Sequence, residues 1–105
     1  MTNPTYQTRV AEFVRAHQLE TSVEVRLLDL SSEVGELAKE VMKASQYGRT
    51  TFAPNAAWAG ELADVFFALV CLANSTQVNL DEALGGALEK YQARLAVKGE
   101  VGSGK

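Results

Sequence analysis

The sequence predicts an all-α domain, a bundle of four helices whose second and third members run antiparallel. Three observations carry that expectation. Apolar residues recur at three- and four-residue spacing, and no stretch of useful length alternates as a strand does. Helix-start residues divide the chain into four segments. Two of those segments each carry a pair of carboxylates three residues apart, Glu33 with Glu36 and Glu61 with Asp64, which a helix places on one face.

The segments follow in order. Pro4 suits a first helical position with Asn3 as its cap, and Tyr6, Val10, Phe13 and Val14 continue at helical spacing to about His17. Thr21-Ser22-Val23-Glu24 has the form of a capping box, so a second helix starts there. It should reach about Gln46 and stop at Tyr47-Gly48, where glycine takes the left-handed cap. Its apolar stripe of Leu27, Leu30, Val34, Leu37 and Val41 is expected to face the core. Gly48 to Pro54 reads as a polar loop. Asn55 is placed to cap a third helix running to about Asn74, and Asn79 to cap a fourth that carries Leu84, Leu88, Tyr91 and Leu95. Residues 1–97 read as one domain and 98–105 as a flexible Gly-rich tail. Gly99 to Lys105 has the letters of a phosphate-binding loop, but no strand precedes it and no helix follows, so that reading is set aside.

A chain of 105 residues, 47% hydrophobic and 22% charged, has the composition of a soluble globular domain, and its size makes it marginal alone. Oligomerisation is expected to help bury its apolar helix faces. A net charge of −3 argues against a nucleic-acid-binding surface, which needs a basic patch. The longest apolar run, Val65 to Ala73, falls short of a bilayer span, and the N-terminal residues lack a signal-peptide core. A cytoplasmic protein without membrane contact is expected. Cys71 is the single cysteine and reads as a buried thiol.

The third helix sharpens the meaning of the acidic pairs. From Trp58 to Ala73 its only charged residues are Glu61 and Asp64, so it reads as a buried helix. Ionised carboxylates on such a helix are costly without a compensating cation, and no Lys or Arg lies between Thr50 and Lys90. On the second helix Asp29, Glu33, Glu36 and Glu40 share one arc. If both acidic pairs face each other across antiparallel helices, they form an oxygen donor set without His or Cys, which suits Mg²⁺ or Mn²⁺. Mg²⁺ usually completes its shell with substrate phosphates, so a phosphate-bearing substrate is the natural third party. Lys43, Lys90 and Arg94 are candidates for the polyphosphate charge. Trp58, with Tyr47 and Phe52 nearby, is a candidate to stack on a base.

Ser32-Glu33-Val34-Gly35-Glu36-Leu37-Ala38-Lys39-Glu40 and Glu61-Leu62-Ala63-Asp64-Val65 resemble the E-x-x-E and E-x-x-D halves of the MazG-type all-α nucleotide pyrophosphohydrolases. The resemblance extends through Leu69 to Asn74 and the Leu80 to Leu84 start of the fourth helix. It implies Mg²⁺-dependent cleavage of a nucleoside triphosphate between its α- and β-phosphates, giving monophosphate and pyrophosphate, as nucleotide-pool housekeeping. It also implies a homodimer or homotetramer with sites near subunit interfaces, and Glu33, Glu36, Glu61 and Asp64 as metal ligands. Glu36 or Glu40 would take the proton of the attacking water, and helical position does not choose between them. The fourth helix departs from the pattern, with Tyr91 and Ala87 where members often carry Asn and Lys. Two alternatives stay open: a relative acting on dUTP, dCTP or phosphoribosyl-ATP, and a non-catalytic helical regulator that binds Mg²⁺.

Overall fold

Short polar side chains set where three of the four helices begin. The structure, a computed structural model, describes residues 5–99. Four helices account for its regular structure: α1 (Tyr6–Ala16), α2 (Val23–Ala44), α3 (Trp58–Ser75) and α4 (Leu80–Lys98), with no strand among the described residues. Thr5 caps α1, its hydroxyl accepting from the Thr8 amide at 3.1 Å. The expected cap and first residue, Asn3 and Pro4, lie outside the described residues, as does most of the expected tail. Asn79 accepts from the Glu82 amide at 3.0 Å, as the sequence suggested, whereas α2 is capped by Ser22, which accepts from the Val25 amide at 3.2 Å, one residue past the Thr21 of the expected capping box. α4 ends one residue past the expected domain boundary, with Gly99 as a left-handed cap at φ 76°.

Two boundaries differ from expectation. α2 stops at Ala44 because the chain turns left-handed from Gln46 (φ 52°) through Tyr47 (φ 59°) to Gly48 (φ 87°), a three-residue reversal rather than a single glycine cap. Buried Ser45 supports it, its hydroxyl accepting from the Gly48 amide at 3.1 Å. Asn55 accepts from the Ala57 amide at 2.9 Å, so it shapes the turn ahead of α3. The helix itself starts at Trp58 without a side-chain cap.

α3 is the centre of the packing, with α2 along one side and α1 along another. Neighbours across the α2–α3 seam run in opposite orders. Glu61, near the start of α3, lies in the field of Glu40 and Glu36, while Asp64, Phe67 and Ala68 share a cavity wall with Glu33, Asp29 and Arg26. Cys71, further along, meets Arg26. The two helices are antiparallel. α1 joins α3 through rings, Tyr6 on Phe66 with centroids 5.0 Å apart and Phe13 edge-on to Phe67 at 6.1 Å. Gln7 ties both to the start of α4. Its amide nitrogen donates to Asn74 Oδ1 at 3.0 Å and to the Val78 carbonyl at 2.8 Å, and its Oε1 accepts from the Leu80 amide at 2.8 Å.

Beyond that first turn, where Tyr6 also donates to Asp81, α4 packs along neither α2 nor α3. Leu84, Leu88, Tyr91 and Leu95 are all exposed. The apolar stripe of α2 is a second departure. Leu27 is 52% exposed and Val34 47%, while Leu30, Leu37 and Val41 are half-buried, because the face turned to α3 includes the acidic arc. The enclosed core is small: Val14, Ala68, Val70, Cys71 and Ala73. The accessible surface is 7919 Å², against about 5,700 Å² for a compact chain of this mass. The radius of gyration, 17.1 Å, likewise exceeds the roughly 13 Å of a compact domain this long. By length and hydropathy alone α3 is also apolar enough to cross a membrane.

Candidate metal and substrate site

The carboxylates collect on the α2–α3 seam because of spacing. Arg26, Asp29, Glu33, Glu36 and Glu40 step by three or four residues along α2, the interval that returns to one face. Glu61 and Asp64 make one such step on α3. Antiparallel packing then brings the two rows together. Glu61 stands in the middle: partial burial, followed by the charges of Glu40, Asp64, Glu36 and Glu33, holds its carboxyl above the ordinary 4.5. Glu33, Glu40 and Glu61 are half-buried, and Glu36 and Asp64 are exposed.

No ion pair ties any of these five carboxylates to a Lys or Arg among the described residues. Nor do three of them converge at the spacing of ligands around one ion among those residues. The seam gathers the acids without fixing them on a point. As a donor set they fit a hard divalent cation: all oxygen, strongly anionic and free of His or Cys.

Two cavities open on Asp64. One, of about 290 Å³, is lined by Arg26, Asp29, Glu33, Asp64, Phe67 and Ala68. The other, of about 550 Å³, lies between α1 and α3 against Tyr6, Arg9, Val10, Phe13, Asp64 and Phe66. From the α1 segment the sequence offers only His17 as a candidate substrate contact, and that residue is not on either cavity wall. The only other signal was the aromatic residues of α1 at helical spacing, which equally describe core packing.

The remaining predicted residues are spread out. Lys43 is in the last turn of α2, one turn beyond Glu40, and is exposed. Trp58 is half-buried at the start of α3 and packs on Phe52, with centroids 4.9 Å apart. Lys90 and Arg94 belong to α4, which does not lie along the seam within this chain. The Lys90 ammonium sits 5.4 Å from the Tyr91 ring centroid. His17 stacks on Phe13 at 4.5 Å.

A family profile described as the MazG nucleotide pyrophosphohydrolase domain matches residues 21–96, which span α2, α3 and all but the end of α4. The uncharacterized protein YpjD of Bacillus subtilis (strain 168) is 38% identical over 68 residues. That match covers 62% of this chain and 60% of YpjD. No solved structure matches the chain.

Proposed function

Because the chain belongs to the MazG nucleotide pyrophosphohydrolase family, we propose that it hydrolyses a nucleoside triphosphate between the α- and β-phosphates. The products are a nucleoside monophosphate and pyrophosphate, and the role is housekeeping of the nucleotide pool. One observation supports this most. Glu33, Glu36, Glu40 and Asp64 surround Glu61 with no cation paired to any of them among the described residues. Such a set is costly unless a cation completes it.

Glu33, Glu36, Glu61 and Asp64 would hold Mg²⁺, or Mn²⁺ in its place. A divalent cation there supplies Lewis acidity toward the phosphoryl oxygens and neutralises their developing charge. Glu40 is half-buried and within the field of Glu61, so it can accept the proton of the attacking water, with Glu36 as the other candidate. Lys43, exposed one turn beyond Glu40, would offset polyphosphate charge, and Trp58 would offer a ring face to the base.

The working unit in this reading is a homodimer or homotetramer. α4 presents an uncovered row of leucines and α2 leaves Leu27, Leu28 and Val34 uncovered, and a second copy can cover both. Lys90 and Arg94 then reach a seam through that association. We read α3 as the core helix of a cytoplasmic protein rather than a membrane span. Its first turns carry Glu61 and Asp64, which hydrocarbon would not tolerate unpaired. A panel of nucleoside triphosphates assayed with Mg²⁺ tests the proposal. Pyrophosphate and monophosphate should appear in equal amounts for at least one of them. No turnover on any would refute hydrolysis and leave a nucleotide-binding regulator.

A further inference from the structure

Arg26 is the one buried charged residue among the described residues, 8% exposed, and it also borders the cavity lined by Asp29, Glu33 and Asp64. Its side chain leans toward the start of α2, as helical side chains do, and Nη2 donates to the Leu19 carbonyl at 2.6 Å. That places the guanidinium under the α1–α2 connection. No carboxylate forms an ion pair with it among the described residues. Its other donors are not sealed in, since no fully enclosed side-chain nitrogen or oxygen there lacks a partner. A cavity of about 280 Å³ lies against the residue. Arg15, Thr21, Arg26, Cys71 and Ser75 line that cavity, with Glu20 the one carboxylate on its wall. Arg26 and Cys71 both line this cavity; burial pushes the Cys71 thiol up, the Arg26 charge offsets part of the rise and the Asp29 carboxylate adds to it.

A buried guanidinium with one carbonyl partner is an incomplete arrangement. Arg presents five N–H donors in a planar fork shaped for a carboxylate or phosphate. Arg15 adds a second positive charge at the rim, and the Thr21 hydroxyl adds a further donor. We propose that this cavity is a binding site for a small oxyanion, a phosphate or carboxylate group held by Arg26 with Arg15 closing over it. The site lies beside the acidic seam and takes its ligand without metal. A bound anion would brace α1, α2 and α3 at the point where all three line the cavity.

Calorimetric titration of the full chain with inorganic phosphate, and separately with succinate, tests this, with EDTA present so that no metal can bridge anions to the seam. At least one should bind saturably in the micromolar to millimolar range, and the stronger of the two identifies the ligand chemistry. Arg15→Gln and Glu20→Gln change exposed residues and should leave the fold intact. Arg15→Gln should weaken binding by roughly tenfold, the loss of one charge-assisted contact. Glu20→Gln should tighten it by removing a competing carboxylate. Arg26→Met, where it folds, should abolish it. Binding of neither anion to the native chain overturns the proposal. So does binding that appears only in Glu20→Gln, because Glu20 would then be the counter-ion of Arg26. Either result leaves the assignment of the acidic seam untouched.

Discussion

Replacing Leu84, Leu88 and Leu95 together by alanine should dissociate the protein into monomers while leaving α4 helical. Alanine is chosen because it has the highest helix propensity, so the change removes side chain and not helix. Each of these leucines is about half exposed in the single chain, Leu88 at 56%. Covering the remainder against a second copy gains about half of the roughly 1.5–3 kcal/mol that full burial of a leucine is worth. That is about 1 kcal/mol per leucine, and alanine forfeits most of it. A symmetric interface contains each position twice, so six leucines are lost and association weakens by about 5 kcal/mol, or roughly 10³–10⁴ in Kd. The excess surface of the chain, on the order of 2,000 Å² over a compact domain, is enough for an interface of that strength. Sedimentation velocity over a range of concentrations, with circular dichroism as the control for helix content, measures the effect. A native chain that sediments as a monomer at micromolar concentration would refute the reasoning, as would a triple variant that associates as tightly as the native chain.

The seam makes three further predictions. Mg²⁺ or Mn²⁺ should raise the melting temperature by binding the folded state preferentially, and Glu61→Gln should remove most of that gain; a melting curve indifferent to millimolar Mg²⁺ in a folded, active protein would contradict the metal assignment. Glu40→Gln should keep Mg²⁺ and nucleotide binding but lose turnover by roughly 10²–10⁴, whereas Glu36→Gln should weaken binding and activity together; near-normal turnover in Glu40→Gln removes it from the mechanism. The raised Glu61 carboxyl sets the sign of a pH dependence in metal-free protein. The folded state holds that proton more tightly than the unfolded chain does, so its contribution to stability is present below the ordinary value of 4.5 and is lost as pH rises through the raised one. Denaturation midpoints in EDTA should show that loss, Glu61→Gln should flatten it, and an equally steep loss in the variant would assign it to another group.

The sequence by itself determined the helices and the family. Helical spacing and the capping residues are local signals: Asn79 caps α4 as its position requires, and α2 starts within one residue of the expected box, at Ser22. The four acids of the two pairs, with Glu40, were identifiable because steps of three and four residues keep side chains on one face whatever that face meets. Which face meets what is a different question, and only the tertiary structure decided it. On α2 the apolar stripe looked like the inward side, yet α3 lies against the acidic arc and leaves Leu27 and Val34 uncovered. The burial of Arg26, the clasp of Gln7 on Asn74 and Leu80, and the unpacked length of α4 carry no local signal either. Each depends on residues distant in the chain arriving at the same place. Spacing fixes the angle between side chains on one helix, while burial depends on the neighbouring helices, within the chain and between copies, that come to cover it.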